Sequence, residues 1–193
     1  MAVARASGTH LIVIINIDSE RLGFAKAFEP NCVTYQVRPG ATAEEYGNRI
    51  RDLFERGVNG AAHTQTEHDM PHLVLNCTGV ESSIITAAYT VPRGGFINVA
   101  GVSSNPTISN IPFMHLSLAE IQSRFINRYR DAWPAAIRAW DGRLIDPSKL
   151  DTLVTHRFRL EDAVKAMELV GGVWKTDGGE RVVKVQIVDE PEN

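Results

Sequence analysis

The stretch Leu11–Ile17 constrains this chain more than any other. Leu-Ile-Val-Ile-Ile-Asn-Ile is almost continuously apolar and mostly β-branched, and it runs into Asp18-Ser19-Glu20-Arg21 with a helical pattern immediately after. A run of this kind reads as a strand buried on both faces, as in parallel sheets. Parallel neighbours cannot be joined by tight hairpins, so the rest of the chain has to supply crossover helices between further strands. The polar residue at the strand's C-terminal end stands where open α/β sheets bind ligands.

The remaining sequence meets that requirement. Met1–Ser7 has the composition of a final helical turn or two, with Gly8 as its C-cap, so the chain begins inside a helix. Ser19 is a fair N-cap, and Leu22, Phe24, Ala25 and Phe28 mark the apolar face of a helix ending near Pro30. Val33–Val37 is a short strand and Thr42–Arg56 an amphipathic helix. His72–Cys77 is the next buried strand, Glu81–Val91 a helix and Phe96–Val102 a fourth strand. Ile111–Met114 reads as a brief extended piece, and Ile121–Ile126 as a further strand with room for a short helix before it. After Tyr129 the character changes. Trp133–Trp140 is helical, Leu153–Phe158 a strand, Leu160–Val170 a helix and Val182–Val188 a closing strand.

Composition narrows the class. With 44% hydrophobic and 22% charged residues and a net charge of -3, the 193-residue chain suits a globular protein with a sizeable core. The charge balance argues against a nucleic-acid or membrane-surface footprint, and no apolar run approaches a bilayer span. Arg5 before an apolar stretch resembles a signal peptide, but Asn-Ile-Asp-Ser-Glu-Arg follows instead of a small-residue cleavage site, so a strand is expected there. Cys32 and Cys77 have no metal spacing, and Cys77, inside an apolar run, reads as a buried reduced thiol in a cytoplasmic protein. His63, Glu67, His68, Asp69 and His72 are metal-ligand types, but Pro71 breaks the helical spacing of His68 and His72, which favours a solvated loop.

Three motifs carry a resemblance. Asn76-Cys77-Thr78-Gly79-Val80-Glu81-Ser82-Ser83-Ile84, Arg128-Tyr129 with Trp133-Pro134-Ala135-Ala136-Ile137, and Leu153-Val154-Thr155-His156-Arg157-Phe158 resemble the C-terminal, cofactor-binding half of the medium-chain zinc-dependent polyol dehydrogenases. The resemblance covers about Ala2 to Ile187 and is closest to enzymes oxidising L-arabinitol, xylitol and sorbitol. It implies an α/β fold, an incomplete Rossmann-type doubly wound parallel sheet lacking its first strand and glycine-rich turn, as a partial dinucleotide-binding domain over residues 1–130. Residues 131–193 would be a helix and strand segment that in the family packs on the catalytic domain.

The same resemblance implies an NAD or NADP site on the strand ends. Asn16 stands where relatives usually carry an acid that binds the adenosine ribose, which weakens the site and leaves NAD against NADP open. Asp18 could partly substitute, or could simply start a helix. Arg21 matches a family arginine beside the adenosine and reads equally as a solvated first-turn charge. Thr78-Gly79 and Ala100-Gly101-Val102 would bring backbone to the cofactor, the latter near the nicotinamide. Arg128 and Tyr129 match the pair nearest the polyol hydroxyls and nicotinamide, with a strand-end ion pair as the alternative for Arg128; Asn127 replaces a frequent aromatic.

No catalytic base and no metal ligand is assigned. Family catalysis uses zinc held by Cys, His and Glu side chains of the N-terminal half, and neither those ligands nor a Gly-x-Gly-x-x-Gly turn is found here. The strand that would carry that turn is central in the order 3-2-1-4-5-6, so its neighbours are expected to expose an apolar edge that invites aggregation or pairing with another chain. The chain is therefore expected to be inactive by itself. It would work with the other half, while a non-catalytic dinucleotide-binding or dimerising module and a truncated gene product are the alternatives. Relatives associate through sheet edges near Ile111–Met114, which implies a homo-oligomer.

Overall fold

The computed structural model describes residues 1–55, 67, 70–171, 176–177 and 180–189. The contacts divide it into two compact units, Val3–Ala132 and Trp133–Asn193.

The first unit alternates helix and strand: α1 (Ala2–Ala6), β1 (Val13–Asn16), α2 (Ser19–Phe28), β2 (Val33–Gln36), α3 (Ala43–Glu55), β3 (Leu73–Asn76), α4 (Glu81–Thr90), β4 (Phe96–Val99), α5 (Phe113–Leu118) and β5 (Gln122–Phe125). Local chemistry explains the boundaries. Asp18, not Ser19, caps α2, its Oδ1 accepting the Glu20 and Arg21 N–H groups at 2.9 and 3.2 Å. Helix α2 ends at Phe28, just before Pro30. Ile111–Met114 is not extended as expected: Pro112, whose fixed φ suits a helix start, is followed by α5 from Phe113.

Helix α3 begins with a reciprocal cap. The Glu45 carboxylate accepts the Thr42 N–H at 2.7 Å and pairs with its hydroxyl, while Thr42 Oγ1 accepts the Glu45 N–H at 3.2 Å. Those bonds, the Thr42 N–H first, hold the Glu45 carboxyl below its usual range. A lowered folded-state value gives stability that is present above the unfolded value and is lost as pH falls through the folded one. Thr42→Ala is expected to cost about 1 kcal/mol at neutral pH. The deficit of Glu45→Gln should shrink below about pH 4. Urea unfolding at pH 7 and at acid pH checks both, and a Glu45→Gln deficit that grows with acid would contradict the cap.

Strands β1 and β2 pair in parallel, Val13 with Val33 through Asn16 with Gln36. Strands β3, β4 and β5 form a separate parallel sheet, Leu73–Phe96–Gln122 in register through Asn76–Val99–Phe125. Strands β1 and β3 do not pair, so the sheet is in two pieces. The expectation of strands buried on both faces fails at this break. On β3, Val74 and Asn76 turn toward protein, whereas Leu73, Leu75 and the following Cys77 are exposed. On β1, Ile15 is exposed, and Ile17 beyond its end is 75% exposed. Cys77 is thus not the buried thiol. The buried one is Cys32, and burial pushes its thiol pKa up.

Two clusters hold the unit. Leu22, Ala25 and Phe28 of α2 are buried, and this helix packs on β1 and β2; Ala87, Ala88, Val91, Ile97 and Val99 form the core between α4 and β4. Helices α3 and α4 pack closely and join the two pieces. Their contact is tight at Gly47, where a Cβ would lie 2.6 Å from the Tyr89 Cβ and 2.9 Å from its carbonyl carbon. Arg51 reaches the Thr90 and Val91 carbonyls across the same seam.

The second unit contains α6 (Trp133–Asp141), α7 (Pro147–Asp151), β6 (Val154–Arg159), a 3-10 turn at Leu160–Asp162, α8 (Ala163–Gly171), β7 (Thr176–Asp177), β8 (Glu180–Arg181) and β9 (Lys184–Val188). Strand β6 runs parallel to β9, with an irregularity between Val154 and His156 where Thr155 Oγ1 accepts the Val183 N–H. Asp146 caps α7 through the Ser148 N–H and hydroxyl, which hold its carboxyl below the usual range. His63, His68 and Asp69 of the polar segment lie outside the described residues. Among the described residues no helix is long and apolar enough to cross a membrane.

Candidate functional site

In each piece of the sheet the strands are parallel, so their C-terminal ends stand level. Beyond the β1–β2 pair, Gln36 Nε2 donates to the Ile17 carbonyl at 3.1 Å. Beyond β3 and β4, the Ala100 and Gly101 N–H groups both reach the Asn76 carbonyl, at 2.8 and 3.1 Å. Beyond β5, the Ile126 N–H donates to Val99 at 3.0 Å. This is the end at which open parallel sheets bind ligands.

Asn76 builds the first loop. It is buried, and its Oδ1 accepts the Thr78 and Gly79 N–H groups at 3.2 and 3.0 Å while its Nδ2 donates to Ser83 Oγ at 2.8 Å. Thr78 Oγ1 shares a hydrogen bond with the same Ser83 hydroxyl at 2.7 Å. One amide therefore ties the strand end to the first turn of α4. Asn followed closely by Thr and Gly is an Asx-turn signature, so this role could have been read from sequence.

The two strand-end glycines lie against each other. A Cβ on Gly101 would stand 2.1 Å from the Gly79 nitrogen and 2.4 Å from the Thr78 carbonyl carbon. On Gly79, whose φ is +69°, it would meet the backbone of Gly101, Val102 and Ser103 at 2.6–2.8 Å. The small side chains at both positions thus serve close loop packing. Val102 and Ala100 remain exposed beside this contact.

The other positions fall at the same end of the strands. Asn16 turns its Oδ1 back to the Asp18 N–H at 3.0 Å. Asp18 starts α2 and also pairs with Arg21, Oδ2 to Nε at 3.6 Å. Arg128 and Tyr129 are exposed on the loop after β5, where Arg128 has φ +62°. A non-glycine residue in the left-handed region carries backbone strain of about 1–3 kcal/mol, which Glu120, Asp131 and Arg143 share.

An open cleft of about 430 Å³ joins the two pieces of the sheet, lined by Ile17, Gln36, Arg38, Pro39 and Tyr46 and, across the break, by Ser82. The Tyr46 hydroxyl donates to the Arg38 carbonyl and accepts the Ala41 N–H at 3.2 Å, which fixes the Arg38–Ala41 turn as a wall. Gln36, Arg38 and Tyr46 are residues the sequence reading did not single out. The cleft lies at the C-terminal ends of the strands, where open parallel sheets bind ligands. The pyrophosphate turn is not among the residues present. Among the described residues no group of three or more His, Cys, Asp or Glu side chains stands where it could hold a metal ion.

Parallel strands joined by crossover helices, with a cleft at their C-terminal ends, define an open α/β domain. An alcohol dehydrogenase from Thermus sp. ATN1 has the same fold, with a TM-score of 0.72 at 21% identity over 98% of this chain and 46% of that one. In sequence the chain is a homologue of the polyol dehydrogenases. It is 42% identical to L-arabinitol 4-dehydrogenase of Aspergillus oryzae over 98% of this chain and 46% of that protein. To rat sorbitol dehydrogenase it is 32% identical over 87% of this chain and 42% of that protein. The chain thus spans about half the length of the curated relatives it matches. No protein-family model matches it.

Proposed function

We propose that this chain is the cofactor-binding portion of an oxidoreductase acting on sugar alcohols. The observation that carries the reading is the cleft at the ends of β1 and β2, set level with the Thr78–Gly79 and Gly101 loops on a dehydrogenase fold. The bound nicotinamide would accept hydride from a carbinol carbon. The chain's own share is binding and orientation. The β1–β2 end takes the adenosine, the Gly79–Gly101 loops offer backbone, and the exposed Arg128 and Tyr129 offer a guanidinium and a phenol to the substrate hydroxyls. Nothing in this set withdraws a proton or polarises the alcohol. That chemistry belongs to the other half, and a strand from it would occupy the break between β1 and β3. The exposed Phe113, Met114 and Phe125 suit a second copy of the chain at the β5 edge.

The test uses the purified chain with L-arabinitol and NAD⁺ or NADP⁺, alone and after co-expression with the half of the Aspergillus oryzae enzyme that it does not match. Alone it should show no oxidation. The co-expressed pair should co-purify and reduce the nucleotide. Turnover by the chain alone would refute the division of labour, and a pair that fails to bind either nucleotide would refute the cofactor assignment.

A further inference from the structure

A second cavity, of about 240 Å³, opens where α3, the end of α4 and α5 meet, lined by Arg51, Arg93, His115 and Glu67 with Val91 and Leu118 as apolar neighbours. It lies by the turns that enter β4 and β5, where the Gly94 N–H donates to the Ala119 carbonyl at 2.8 Å. This is the end of the sheet away from the Thr78–Gly79 and Gly101 loops. The lining is unbalanced in charge: among the described residues two guanidinium groups share one carboxylate. Both cations are oriented by backbone. Arg93 Nη1 donates to the Leu118 carbonyl at 3.0 Å, and Arg51 Nε and Nη2 reach the Thr90 and Val91 carbonyls at 3.4 and 3.5 Å. His115 Nε2 lies 3.1 Å from the Ala88 carbonyl, which can only accept, so the ring donates there. The carboxylate, Glu67, stands 3.9 Å from Arg93 Nε, and both side chains are more than half exposed. A pair so placed is weak and gives way to a better anion.

We propose that this cavity is a site for a small phosphate-bearing ligand, which displaces Glu67 from Arg93 and bridges Arg93 to Arg51. Each guanidinium fork grips phosphate oxygens with charge-assisted bonds. A carboxylate offers two oxygens in one plane, whereas a phosphate monoester or free phosphate offers three or four around one centre, enough for both forks. Arg51 belongs to α3 and Arg93 follows α4, so the bound ligand fastens the α3–α4 seam. The site is argued independently of the nucleotide reading and stands or falls without it.

The test is calorimetric binding of inorganic phosphate and of glycerol 3-phosphate to the full chain, with chloride at matched ionic strength as the blank. At least one of the two should bind and raise the melting temperature, and the tighter one tells free phosphate from a monoester. Arg93→Gln should weaken binding about tenfold or more, because a charge-assisted contact is lost. Glu67→Gln removes the internal competitor and should tighten binding about two- to fivefold. Arg51→Gln should weaken it as Arg93→Gln does. The melting temperature of each unliganded variant is the folding control, and the exposed Arg93 and Glu67 carry the test if Arg51→Gln loosens the seam. Binding of neither phosphate, or an effect that chloride reproduces, overturns the site. Binding that survives Arg93→Gln overturns its assignment to this cavity, and weaker binding by Glu67→Gln overturns the displacement.

Discussion

Gly101→Ala is expected to cost about 3 kcal/mol or more and to abolish nucleotide binding with it. The added methyl would lie 2.1–2.6 Å from backbone atoms of Thr78 and Gly79. None of these is the end of a flexible side chain, so relief requires one strand-end loop to move. The Thr78–Gly79 loop is tied to Asn76 and through it to Ser83, so it cannot move without breaking these buried and half-buried hydrogen bonds. Gly94→Ala is the matched control. Its φ of +70° makes it strained, but its Cβ would meet nothing within 4 Å, so it should lose only about 1–2 kcal/mol. Urea unfolding of both variants, with amide exchange of Thr78 and Gly79, separates the two causes. A Gly101→Ala chain as stable as the parent would end the loop-packing account.

Gly47→Ala should also destabilise, by about 1–3 kcal/mol, against the ordinary trend. In an exposed helix the same change gains about 1 kcal/mol of helix propensity. Here the new methyl would press on the Cβ of Tyr89 at 2.6 Å and on its carbonyl carbon and oxygen at 2.9 and 3.0 Å, so contact outweighs propensity. Strands β1 and β3 are not hydrogen-bonded, and α3, whose Tyr46 holds the turn after β2, packs on α4, so the α3–α4 seam links the end of β2 to the other piece of the sheet. Loosening it should speed amide exchange in β1 and β2 more than in β3–β5, where the Ile97 core is intact. Uniform acceleration across all five strands, or a gain in stability, would show that the seam does not have this role.

Much of the fold was legible because alternating apolar runs and caps are local signals. Leu11–Ile17 contains β1, and His72–Cys77 and Phe96–Val102 contain β3 and β4. Cys77 shows where local reading stops. An apolar run says that a strand wants cover on both faces, but the Leu73–Leu75–Cys77 face is bare, and only the three-dimensional neighbours decide that. The strand-end loops were legible as places where a polar or glycine residue closes an apolar run. The Gly79–Gly101 packing was not, since it depends on two loops a strand and a helix apart. Gln36 and Arg38 were missed for a related reason: neither belongs to a motif, and each matters only because β2 ends beside β1.

The cleft draws its walls from both sides of the sheet's discontinuity, Ile17, Gln36 and Tyr46 on one and Ser82 on the other. Whatever fills it acts as a rivet between them. Occupancy therefore adds RT ln(1 + [L]/Kd) to the cohesion of the whole unit rather than to one loop. By reciprocity, a ligand whose binding in the cleft clamps α3 more firmly on α4 is itself bound more tightly, by the same factor, when that seam is already clamped.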